Sequence, residues 1–259
     1  MEYIKITKQN NIAIVTLCRE RVMNCFNLKM RDELSRCMEQ LNEDDSIKGV
    51  IITGSGGNFS SGGDMKEMAL INEPYQAYAL SYIEKTAFLR VQMCKHPVIA
   101  AISGYCLGAG FDLALSCDFR FVAEDVIMGF PEVKYGIVVG GGGVSKLARH
   151  VGLTKTKELL FTGRQLTSKE ALSLQLVNSI TKDPLEYSIE FINKNLLESS
   201  SISIGEYKRL LHDYDLTYAS MVRESEATNR CFSYANNEET KRLLVEKCKG
   251  KNANDKKER

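Results

Sequence analysis

The sequence predicts an α/β fold, and three observations carry that prediction. Strand-like runs and helical patterns alternate through residues 1–190. The most apolar short runs, GVIIT at 49–53 and HPVIAAISG at 96–104, lead into glycine and read as buried strands. Beyond residue 190 the patterning is helical only. With 259 residues, 44% of them hydrophobic, the chain can bury a sizeable core. We therefore expect a mixed body over residues 1–190 and a helical region over 191–259.

Taken in order, EYIKIT at 2–7 and NIAIVTL at 11–17 both alternate, and the turn residues of KQNN join them. That pattern predicts a β-hairpin. In 28–41, Leu28, Met30, Leu34, Cys37, Met38 and Leu41 recur near a 3.6-residue period, which predicts an amphipathic helix. GVIIT predicts a strand ended by the loop GSGGN. A helical pattern covers 75–94. In HPVIAAISG, Pro97 stands at the strand start, where a missing N–H does least harm. DFRFVAED at 118–125 alternates like a strand. From 143 onward GVSKLARHVG, LTKTKELLF and TSKEALSLQ predict helices, followed by three longer ones between 185 and 249. The charged ending KGKNANDKKER is expected to fray.

Composition narrows the function. A formal net charge of +1 argues against a molecule built around a nucleic-acid or membrane-surface field. No signal-peptide pattern opens the chain, and no run of about 18 apolar residues offers a membrane span. The 8 cysteines are scattered without a CxxC pair, so reduced thiols and a cytoplasmic location are expected. His96, His150 and His212 lack metal-ligand spacing. GGGG at 140–143 has the wrong spacing for a dinucleotide fingerprint, there is no GxxxxGK[ST] loop, and Ser60 and Ser61 have no GxSxG context. Neither a metal nor a separate cofactor is expected.

Three features can carry chemistry. NFSSGGDMKEM at 58–68 is a small-residue turn between a strand and a helix; it reads either as an ordinary loop or as backbone shaped for close approach of a ligand. GYCLGAGFDLAL at 104–115 runs a buried strand into Gly108, Ala109 and Gly110 and then a helix. Its small residues read as helix packing or as a helix start whose free N–H groups receive an oxyanion. The third feature is a pair of acids. Asp112, in the first turn of that helix, reads as a dipole-complementing acid or a catalytic one. Glu132, after Pro131, reads as a strand-end surface residue or a catalytic one. Two acids flanking a polarised carbonyl make a proton-transfer site.

FSSGGDMKEM, HPVIAAISGYCLGAGFDLALSCDFRFVAED, FPEVKYGIVVGGGGVSKLARHVG and ELLFTGRQLTSKEALSLQLVN together resemble the crotonase superfamily, the enoyl-CoA hydratase/isomerase family, over about residues 1–250. The resemblance implies a crotonase-like ββα spiral core with a helical C-terminal trimerisation region, assembled as a trimer or dimer of trimers. It implies an acyl-CoA thioester substrate, with coenzyme A as part of the substrate. An acyl-carrier-protein thioester remains an alternative. The implied oxyanion hole is the backbone N–H of Gly63 and of Ala109, and the implied catalytic acids are Asp112 and Glu132. Substrate or CoA contacts are implied for Asn24, Ser61, Asp64, Lys66 and Gly140; Lys66 reads equally as a solvated helix lysine. Hydratases of the family commonly carry two glutamates, and Asp112 is one methylene shorter than the first. The resemblance implies addition or removal of water across a 2-enoyl thioester. Enoyl or dienoyl isomerisation, dehydration or decarboxylation of a carrier-bound chain, and a non-catalytic acyl-CoA-binding module stand as alternatives. Tyr75, Tyr78 and Tyr82 either line the acyl tunnel or pack the next helix.

Overall fold

The computed structural model describes residues 1–200 together with 203–208, 211, 222, 226, 229, 241, 242, 245 and 246. Of the three longer helices expected between 185 and 249, the first lies within the described residues and the others fall mostly outside them, as the charged ending does entirely.

The expected hairpin forms first. β1 (Ile4–Gln9) pairs antiparallel with β2 (Ile12–Leu17), turning at Asn10, whose φ of 52° suits an asparagine. α1 (Leu28–Asn42) starts where the Asn27 side chain accepts a hydrogen bond from the Met30 N–H. β3 (Gly49–Gly54) follows, then the short α2 (Met65–Met68) and the long α3 (Pro74–Gln92). Next come β4 (Val98–Ile102), β5 (Tyr105–Leu107), α4 (Ala109–Ser116), β6 (Phe119–Val122) and β7 (Ile127–Gly129). A 3-10 turn over Glu132–Tyr135 leads to α5 (Gly143–Thr162). The chain continues through β8 (Leu166–Thr167), α6 (Ser168–Ser173), β9 (Ser179–Ile180) and α7 (Pro184–Asn195). Gly152, at φ 70° and ψ 166°, breaks α5 between the two helical patterns read there.

One sheet has the order β1-β2-β3-β4-β6-β9 and the other β5-β7-β8. From β2 to β9 the larger sheet is parallel. A parallel sheet is covered on both faces, so its strands are apolar throughout rather than alternating. Val50, Ile52, Val98, Ala100 and Ile102 enter the main core with α1 and α3, whereas Ile51, Ile99 and Phe121 meet Ile189 and Ile192 of α7 on the opposite face. Residue 190 thus falls inside α7, a helix that packs on the body's own sheet. Among the described residues no helix is long and apolar enough to cross a membrane.

Candidate active site

The two small-residue loops meet. Ser60 and Cys106 form a parallel bridge, with the Ser60 N–H donating to the Tyr105 carbonyl and the Leu107 N–H to the Ser60 carbonyl. Beyond this bridge the loops touch glycine to glycine. A Cβ on Gly62 would fall 3.6 Å from the Gly108 Cα, and one on Gly108 would fall 3.5 Å from the Gly62 Cα. Both glycines have positive φ, 106° and 53°, a conformation that L side chains rarely adopt.

The residues after these glycines are the expected amide donors. Gly63 forms a parallel bridge with Phe26: the Phe26 N–H donates to the Gly62 carbonyl at 2.7 Å, and the Asp64 N–H donates to the Phe26 carbonyl at 2.9 Å. Because its two neighbours pair with Phe26, Gly63 turns its own N–H the other way. Ala109 opens α4, where the first N–H groups of a helix lack intrahelical partners. Both residues border one cavity of about 410 Å³. Among the described residues neither N–H has an acceptor.

Glu132 borders the same cavity. The residue is half-buried, but its carboxyl tip is enclosed: Oε2 is buried and has no hydrogen-bond partner among the described residues. Its Oε1 lies against Gly108, 2.6 Å from where a Cβ there would stand. Burial pushes the Glu132 carboxyl up to about 8, its own backbone N–H opposes that, and the nearby charges of Glu84 and Asp112 add to it. This acid, its proton held more tightly than an ordinary carboxyl's, borders the same cavity as two unpaired amides.

Asp112 departs from expectation. It occupies the first turn of α4, yet it does not border the cavity and is 0% exposed. Its Oδ1 accepts from the Lys146 ammonium at 2.6 Å, and its Oδ2 accepts from the Gly143 N–H at 3.0 Å. Lys146 is 3% exposed and also donates to Ser116 Oγ and the Gly141 carbonyl. Each buried charge therefore meets its counterion, as burial of charge requires. The physical reason is reach: from α4 the short side chain meets α5 and the glycine loop before it.

The implied CoA contacts separate likewise. Ser61 and Gly140 border the cavity, but Asn24, Asp64 and Lys66 do not. Asn24 is 0% exposed; its side chain accepts from the Arg19 N–H and donates to the Ser55 and Asn58 carbonyls, so it ties loops together rather than waiting for a ligand. Asp64 caps α2 and pairs with Arg19 at 3.0 Å. Lys66 stands exposed on α2, between Met65 and Met68, which do border the cavity. Tyr75, Tyr78 and Tyr82 are exposed on the far side of α3, with Tyr75 at 68%. The helix faces the cavity with Ala77, Leu80, Ser81 and Glu84 instead.

Two cavity residues escape a local reading of the sequence: Arg31 and Glu84. Arg31, 2% exposed, donates from Nε to Glu84 Oε2 at 2.8 Å and from Nη1 to the Phe26 carbonyl at 2.6 Å. Burial raises the Glu84 pKa, with the Arg31 charge opposing. One signal was available: Ala77, Ser81, Glu84, Phe88 and Val91 form one buried stripe along α3, and Glu84 is its single acid. Among the described residues no group of three or more His, Cys, Asp or Glu is placed to hold a metal ion.

Comparison with known proteins gives the family. The enoyl-CoA hydratase/isomerase family model matches residues 7–253. A short-chain-enoyl-CoA hydratase of Clostridium acetobutylicum is 30% identical over 252 residues, covering 94% of this chain and 95% of that protein. The crystal structure of an enoyl-CoA hydratase/isomerase from Mycobacterium paratuberculosis superposes with a TM-score of 0.87 at 25% identity, covering 95% of this chain and 98% of the other. An enoyl-CoA hydratase from Bacillus anthracis gives 0.78 at 30% identity, covering 88% and 90%.

Proposed function

Since this chain belongs to the enoyl-CoA hydratase/isomerase family, we propose that it adds or removes water across the double bond of a 2-enoyl-CoA. The observation that carries this reading is the enclosed Glu132 carboxyl beside the amides of Gly63 and Ala109. The thioester oxygen is received by those two N–H groups, which stabilise the enolate as negative charge develops on it. Glu132, its carboxyl pushed up to about 8 by burial, gives its proton to the α-carbon as water adds at the β-carbon, and takes it back in the reverse direction. Lys66, exposed between two cavity-bordering methionines, meets a phosphate of the CoA.

A second reading, double-bond isomerisation, is favoured by one specific observation: of the two acids expected from the sequence, Glu132 alone borders the cavity. One acid suffices to move a proton between two carbons. Short 2-enoyl-CoA and 3-enoyl-CoA substrates separate the two activities. Hydration removes the conjugated-thioester absorbance of the first, whereas isomerisation creates it from the second. Loss with the 2-enoyl substrate is the expected result. Gain with the 3-enoyl substrate, and no loss with the other, would replace hydration by isomerisation.

A further inference from the structure

We propose that Glu84 is the second carboxylate of the hydration reaction, the catalytic residue that takes a proton from the attacking water, in place of Asp112, which the resemblance implied as a catalytic acid. This inference rests on the hydration reading above. Water addition needs one group to deprotonate the water and another to protonate the α-carbon. Glu132 supplies the second. Asp112 is unsuited to the first, because the Lys146 ammonium holds one of its oxygens and the Gly143 N–H the other, outside the cavity.

Glu84 fits where Asp112 does not. It borders the same cavity as Glu132, Gly63 and Ala109. Both Arg31 contacts converge on its Oε2, each at 2.8 Å, and among the described residues Oε1 accepts no hydrogen bond. One oxygen is thus anchored while the other is available to a water. The anchor belongs to the reacting centre. Arg31 Nη2 lies 3.5 Å from where a Cβ on Gly63 would stand, and Arg31 Nη1 holds the Phe26 carbonyl whose bridge orients the Gly63 amide. Burial raises the Glu84 pKa, and the guanidinium opposes that shift in favour of the ionised form that a base requires. The alternative role, a plain ion pair joining α1 to α3, leaves unexplained why the pair borders the cavity beside the amide donors.

The step balances. The Glu84 carboxylate takes one proton of the water as the water oxygen bonds to the β-carbon. The electron pair of the double bond shifts into the enolate, whose oxygen the two amides hold. The enolate then takes the Glu132 proton at its α-carbon. The site ends with Glu84 protonated and Glu132 ionised, and proton transfer between them through water resets it.

The test pairs hydration of a short 2-enoyl-CoA with α-proton exchange of a saturated acyl-CoA in heavy water, a reaction that needs Glu132 and the amides but no attacking water. In Glu84→Gln, kcat for hydration falls about 100-fold or more, KM changes little, and α-proton exchange persists. Parallel loss of both reactions would make Glu84 a structural residue and overturn the proposal, as would undiminished hydration. If the Gln variant does not fold, Glu84→Asp keeps the charge and withdraws the oxygen by roughly 1.5 Å. Its hydration kcat is expected to fall about 100-fold at near-constant KM, and an unchanged kcat overturns the assignment. Failure of the hydration reading is seen separately, in the wild-type protein leaving every 2-enoyl-CoA unaltered.

Discussion

At the scale of single residues, the pKa of Glu132 near 8 makes a signed prediction. Hydration needs the pair Glu132 and Glu84 to hold one proton between them. The reverse reaction uses the same proton count, so kcat/KM falls in both directions as pH rises through about 8. The α-proton exchange of a saturated acyl-CoA needs ionised Glu132 and so rises over the same range. A pH–rate profile of each reaction checks the opposition, and parallel profiles would contradict it. Gly108 gives a second prediction. A methyl group there would lie 2.6 Å from Glu132 Oε1, at a φ of 53°. Gly108→Ala should therefore strain the loop by about 1–3 kcal/mol and displace the acid from the thioester. Steady-state kinetics should show kcat lowered by about 100-fold, the scale of a 1 Å misplacement.

Among elements, the decisive contact joins α4 to α5. The Asp112–Lys146 pair is enclosed, and each partner has further hydrogen bonds. Removing one partner strands the other charge in a low-dielectric interior. Lys146→Met is expected to destabilise the protein by about 3–5 kcal/mol in urea unfolding, whereas the double change with Asp112→Asn should recover much of that loss. A near-neutral single variant would show that the pair is solvated. This contact also explains where the sequence stops being informative. The hairpin, α1 and α3 were legible because each pattern is local to its element. The glycine turns were legible because positive φ and close approach leave few residue choices. The fate of Asp112 was not, because it depends on a lysine 34 positions away. Glu84 was half-legible: its place on the stripe from Ala77 to Val91 marks it as buried, but the cavity beside it comes from other elements.

For the whole molecule, the parallel sheet is sandwiched between α1 and α3 on one face and α7 on the other. The enclosed Glu132 carboxyl has a measurable consequence for folding. In the unfolded chain its carboxyl titrates near its ordinary 4.5, and in the folded protein near 8. Between those values the folded state binds more protons than the unfolded one, so this group's contribution to stability is complete below pH 4.5 and is lost progressively up to about pH 8. Groups held below their ordinary range act elsewhere. Glu33, whose carboxylate receives the N–H groups of Tyr3 and Ile4, stabilises above about pH 4.5 and loses that contribution as pH falls. Comparing wild type with Glu132→Gln isolates the one group, because Gln imitates the neutral acid and does not titrate. Urea midpoints of the two proteins should diverge steadily from pH 4.5 to pH 8 in favour of the variant and then run parallel. A difference that stays constant across that range would mean that the Glu132 carboxyl is hydrated, and the enclosed proton donor on which the hydration chemistry depends would go with it.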